Sequence, residues 1–102
     1  DLRFLMQRYI VNQIPVPFII RYAANAKPWE SERVYDTMVQ WAGVGNRISL
    51  DKLCLALNIE SPKGDLDGSK VYDYYLQDRL EEIAEYCKRD IEATRQVFKR
   101  MK

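Results

Sequence analysis

The chain has 102 residues, room for one domain at most. Apolar side chains make up 47% and charged ones 30%, the balance of an ordinary globular protein rather than a disordered one. Sixteen basic and 15 acidic residues leave a net charge of +1, so no global field attracts nucleic acid and any phosphate contact must be local. The absence of histidine excludes Cys/His zinc sites and histidine-based triads, leaving carboxylates, tyrosines and lysines to carry any acid/base or metal chemistry.

Residues 1–12 place Leu2, Leu5, Met6 and Tyr9 at helical spacing against Arg3, Gln7 and Arg8, which predicts a short amphipathic helix begun by Asp1 and ended by Asn12 and Gln13. Residues 14–22 are apolar but hold Pro15 and Pro17, which suits an extended or edge segment. A loop follows at Ala26–Trp29. Arg33–Met38 is the best strand candidate, with Asp36 as the N-cap of a helical turn running through Trp41 to Gly43 and Gly45. Ser49 then reads as the cap of a helix carrying Leu50, Leu53, Cys54 and Leu57, with Asn58 closing it.

The stretch from Glu60 to Gly68 reads as an irregular loop, with Asp67 or Ser69 capping the next helix, which holds Val71, Tyr72, Tyr75 and Leu76. Its Asp-x-Asp-Gly lacks the spacing and closing glutamate of a calcium loop. Trp29, Trp41 and the tyrosine cluster Tyr72, Tyr74 and Tyr75 read as core and rim, and Cys54 and Cys87 as buried thiols. No apolar run approaches the roughly 18 to 20 residues of a membrane span and no signal peptide is visible, so the expected location is the cytoplasm.

A long last helix runs from about Asp78 to Met101. On a helical wheel Leu80, Ile83, Cys87, Ile91, Thr94, Val97, Phe98 and Met101 gather on one side. Lys88, Arg89, Arg95, Lys99 and Arg100 are interleaved with Glu85 and Glu92 on the other, the pattern of a solvated face. One charge breaks the rule. Asp90 falls inside the apolar stripe, with Tyr86 one turn earlier on the same flank. An inward carboxylate is costly unless it is paired, hydrogen-bonded or bound to metal, and no Lys or Arg of this helix points the same way. Either a structural partner on another segment or a functional role satisfies it. The i, i+4 spacing aims both side chains at one point, where a carboxylate can hold a divalent cation and a phenol can orient an attacking water.

Tyr86-Cys87-Lys88-Arg89-Asp90-Ile91-Glu92-Ala93-Thr94 resembles the third exonuclease motif of the DEDD superfamily in its tyrosine variant (DEDDy). Lys27-Pro28-Trp29-Glu30, Tyr35-Asp36-Thr37-Met38, Ser49-Leu50-Asp51-Lys52-Leu53 and Ser61-Pro62-Lys63-Gly64-Asp65-Leu66-Asp67-Gly68-Ser69 resemble, in order and spacing, the bacterial predicted 3′–5′ exonucleases related to the proofreading domain of family B DNA polymerases. The resemblance spans nearly the whole chain. It implies an α/β class, a partial RNase H-like (DnaQ-like) domain whose residues 1–102 are the mostly helical C-terminal part of one exonuclease domain, with one or two strands.

The resemblance further implies hydrolysis of single-stranded or 3′-end DNA, with two Mg2+ or Mn2+ ions held by four acids. Asp90 would be the fourth acid, Tyr86 the residue that positions water, and Asp1 the third acid, at the start of the second-motif helix; Lys63 would touch a phosphate. The Asn and Phe that precede the third acid in the family, the Asp-x-Glu of the first motif and its strands do not occur in these residues, so this segment alone is expected to be inactive. The competing expectation is a non-catalytic helical interaction module that retained the fold.

Overall fold

The computed structural model describes every residue from Asp1 to Lys102 except Lys63 and Asp65. Among the described residues there are six α-helices, one 3₁₀ turn and no strand. The helices are α1 (Leu2–Val11), α2 (Phe18–Ala24), α3 (Thr37–Ala42), α4 (Leu50–Ala56), α5 (Val71–Leu76) and α6 (Leu80–Met101). The 3₁₀ turn, Gly68–Lys70, leads straight into α5.

Helix starts follow the local chemistry of their caps. Asp36 is extended and its carboxylate accepts from the backbone N–H of Met38 at 3.0 Å and of Val39 at 3.4 Å, satisfying two orphan donors of α3. Ser49 caps α4 by accepting from the N–H of Lys52. Asp67 caps the 3₁₀ turn by accepting from the N–H of Ser69, so of the two candidates it is the aspartate that acts as cap.

Three helix ends share one device. Gln13, Asn58 and Asp78 take positive φ angles of 58°, 55° and 57° just past α1, α4 and α5. The residue after each donates back into the helix: Ile14 to Tyr9, Ile59 to Cys54 and Arg79 to Tyr74, at 2.8–2.9 Å. These are Schellman closures built without glycine, which reverse the chain within two residues.

Two expected extended segments differ. Arg33–Asp36 carries no strand, because Asp36 commits the backbone after it to α3 and no neighbouring strand among the described residues offers a ladder. Ile14–Pro17 lies outside the helices as Pro15 and Pro17 require, but Phe18–Tyr22 enters α2. Pro17, at φ −56° and ψ 142°, is the N-cap, and its carbonyl accepts from the N–H of Ile20 and of Arg21. A proline lacks only a donor that the start of a helix does not use.

The long helix α6 organises one half of the molecule. Helices α3, α4 and α5 pack against it, while α1 packs on α2. The core comprises Leu53 and Cys54 of α4 with Ala93 and Val97 of α6, sealed by Ile48, Leu50, Leu57, Ile59 and Met101. Cys54 and Val97 are fully buried. Met6 of α1 and Ala24 of α2 are buried outside this core, where α1 packs on α2.

The molecule measures 43 × 39 × 21 Å, so its thin dimension is about two helix diameters. Its radius of gyration of 15.4 Å exceeds the roughly 13 Å of a compact domain this long. In so thin a body many apolar side chains lack cover. Trp29 and Trp41, expected as core anchors, are exposed, as are Tyr72 and Tyr75, Phe4 and Phe18. Cys87 is exposed too, against expectation, whereas Cys54 is buried.

Candidate active site

The covered stripe of α6 consists of Ile83, Tyr86, Asp90, Ala93, Val97 and Met101, at successive spacings of three and four residues. The expected apolar stripe is thus split lengthwise. Ile83, Val97 and Met101 face α3, α4 and α5, while Leu80, Cys87, Ile91 and Phe98 form a second seam left open, with Ile91 67% exposed. Both flanks are apolar, and only the position of neighbouring helices decides which is covered. Tyr86 and Asp90 lie in the covered stripe, half-buried, alongside the open seam. The opposite face is solvated as expected, with Glu85–Lys88 and Glu92–Arg95 pairs across it.

The two side chains lie one turn apart on the same half-buried flank of α6. The Tyr86 phenol is pushed above its ordinary value first by burial, then by the Asp90 charge and a hydrogen bond with the Asp90 side chain, with smaller contributions from Asp67 and Cys87. At neutral pH the phenol is therefore protonated, so its O–H serves as a donor. Among the described residues no Lys or Arg forms an ion pair with Asp90. Its backbone carbonyl accepts from the Thr94 hydroxyl at 2.8 Å, which leaves the carboxylate free of that bond.

Cys54 is fully buried in the core that includes Ala93, one turn on from Asp90. Its thiol is pushed up by burial first and then by the charges of Asp51 and Asp90. Asp51, on the first turn of α4, accepts a hydrogen bond from the Ser61 hydroxyl. Two acids without an expected site role thus act on groups of this region: Asp51 on Cys54 and Asp67 on Tyr86. Asp51 sits inside one of the resembling stretches and Asp67 inside another, and capping alone explained Asp67 at the level of sequence.

These two raised groups set an alkaline limit on stability. Each binds its proton more tightly folded than unfolded, so its contribution is complete below the unfolded value and is lost as pH rises through the higher folded one. The urea midpoint is expected to stay level from neutral pH and to fall above about pH 9, with Cys54→Ala removing the earlier part of the fall. A midpoint flat to pH 11 would contradict the burial of both groups.

Asp1 stands exposed as the N-cap of α1, with no hydrogen bond from its side chain to the helix, and α1 packs on α2. Lys63 lies outside the described residues. The described residues hold no group of three or more His, Cys, Asp or Glu side chains placed to share a metal ion. Asp90 offers an oxygen donor of the kind Mg2+ or Mn2+ prefers, but these residues do not by themselves form a two-ion site. No helix among them is long and apolar enough to cross a membrane.

A Tyr–Asp pair one turn apart on the long helix α6, without an ion-pair partner among the described residues and beside an open seam, suits a nuclease-related domain. Over residues 1–102 the chain matches the family described as predicted 3′–5′ exonucleases related to the exonuclease domain of PolB. It belongs to that family. No curated protein and no solved structure matches the chain.

Proposed function

We propose that these residues form the helical part of a DEDDy-type, RNase H-like domain that hydrolyses DNA from its 3′ end with divalent metal. The observation that carries the proposal is Asp90: a half-buried carboxylate with no ion-pair partner among the described residues, one helical turn from the half-buried Tyr86. The open seam of Leu80, Cys87, Ile91 and Phe98 beside it is the face on which strands bearing an Asp-x-Glu would pack. Asp1 is the proposed third acid and Lys63 a proposed phosphate contact.

When bound, the two Mg2+ or Mn2+ ions supply charge neutralisation at the scissile phosphate and an activated water. Asp90 contributes one carboxylate to that set. The Tyr86 hydroxyl, whose one proton goes to Asp90, keeps its oxygen lone pairs to accept a hydrogen bond from the water and so orient it for attack. The water oxygen bonds to phosphorus, the bond to the preceding 3′-oxygen breaks, and that oxygen takes a proton as a nucleoside 5′-monophosphate leaves. Because the described residues hold no complete acid set, the 102 residues alone are expected to be inactive.

The full-length protein is expected to release mononucleotides from 3′-labelled single-stranded DNA when Mg2+ or Mn2+ is titrated in, and to stop when the metal is chelated. No release at any metal concentration sinks the proposal. That outcome supports a second reading, a helical interaction module, for which the exposed apolar side chains Phe4, Phe18, Leu55 and Ile91 speak.

A further inference from the structure

Gly68 has no backbone reason to be glycine. The glycines at positive φ are Gly43 and Gly45, so the conformation of Gly68 suits any L residue. A Cβ built on Gly68 meets one heavy atom within 4 Å among the described residues, the hydroxyl oxygen of Tyr86 at 3.9 Å. Its position is fixed from both sides. Leu66, 5% exposed, is the buried anchor before it and lines one cleft with Tyr74 of α5 and Glu85 and Arg89 of α6. After it, Ser69 donates its N–H to the Asp67 carboxylate at 2.9 Å, and the 3₁₀ turn runs directly into α5. The 3.9 Å approach of a Cβ built on Gly68 places the turn beside the Tyr86 hydroxyl.

We infer that the Leu66–Ser69 turn is the outer wall of the Tyr86–Asp90 site and that Gly68, by lacking a side chain, keeps the phenolic hydroxyl open to a nucleotide phosphate. The identity of that ligand rests on the exonuclease reading, whereas the wall itself does not. A methyl group at position 68 fits against the hydroxyl at ordinary contact distance. The branches of a valine reach about 1.5 Å further and cover it.

The test uses the full-length protein with Gly68→Ala and Gly68→Val. Nitration of Tyr86 by tetranitromethane, followed peptide by peptide, reports access to the ring beside its hydroxyl, with exposed Tyr72 and Tyr75 as internal standards. Tyr86 nitration is expected to slow severalfold in Gly68→Val and less in Gly68→Ala, at unchanged rates for the standards and unchanged unfolding temperature. DNA-degrading kcat/KM is expected to fall about tenfold or more in Gly68→Val. Unaltered Tyr86 nitration in both variants, or a Tyr86 that resists nitration in the parent protein, overturns the inference. Protection of Tyr86 with undiminished DNA degradation upholds the wall and removes Tyr86 from the nuclease reaction instead.

Discussion

Asp90→Asn in the full-length protein is expected to cut DNA degradation by about 100-fold or more while leaving the protein folded, because a lost metal ligand forfeits roughly 3 kcal/mol or more of transition-state stabilisation. Asparagine keeps the shape of the side chain and an oxygen that can still accept from Tyr86, but it lacks the negative charge that holds a cation. The cost to folding is small for a reason visible in the structure: the carboxylate has no ion-pair partner among the described residues to be stranded by its loss. Asp51 and Asp90 both act on Cys54, so removing one charge also eases crowding of like charges around that thiol. The unfolding temperature is therefore expected to stay within a few degrees of the parent.

A structural ion pair predicts the reverse. Removing one member of a buried pair costs about 3–5 kcal/mol, which in a chain this size is a fall of 10 °C or more, on the order of magnitude of a lost core residue. DNA degradation at the parent rate by the Asp90→Asn protein would end the nuclease assignment. The thermal measurement, made on the same sample, then says whether Asp90 serves the fold.

Features settled by nearest neighbours in the chain were legible in the sequence. Asp36 and Ser49 cap their helices because a short acceptor side chain meets donors two or three residues away, and nothing remote is required. The last helix was legible for its length, and Asp90 for being the acid inside its apolar stripe. Features settled by distant neighbours were not. The stripe of α6 has two apolar flanks, and Leu80, Ile91 and Phe98 are no less hydrophobic than Ile83, Ala93 and Val97; α4 and α5 cover one flank and leave the other. Trp29 and Trp41 are large enough to anchor a core, but a body 21 Å thick leaves both uncovered. Residues 33–38 have the β-branched and aromatic make-up of a strand, yet a strand needs a paired neighbour and a capped helix does not. The same division runs through the site. The i, i+4 spacing of Tyr86 and Asp90 was readable, whereas the approach of Gly68 to the Tyr86 hydroxyl depends on how the connection between α4 and α5 folds back over α6.

That fold-back depends on few residues, so Leu53→Ala is expected to be the most damaging single truncation in the chain. Leu53 is 2% exposed and belongs to a core whose buried members are otherwise Cys54, Ala93 and Val97. Truncating a buried leucine costs about 2–5 kcal/mol, because the lost transfer energy is compounded by a cavity the neighbours cannot fill. A chain of this length has only about 5–15 kcal/mol of stability, and one with so small a core belongs near the lower bound. The unfolding temperature should drop by roughly 8–40 °C, at about 4–8 °C per kcal/mol. Leu55→Ala provides the control: it lies on the same helix, 81% exposed, and should shift stability by no more than about 0.5 kcal/mol. Equal effects of the two substitutions would mean that α4 does not seat on α6 through Leu53. If α4 is loosened in this way, Cys54, the next residue, is unseated from Ala93 and Val97 on the stretch of α6 that carries Asp90. Leu53→Ala should therefore impair DNA degradation and stability together, whereas Asp90→Asn should separate them.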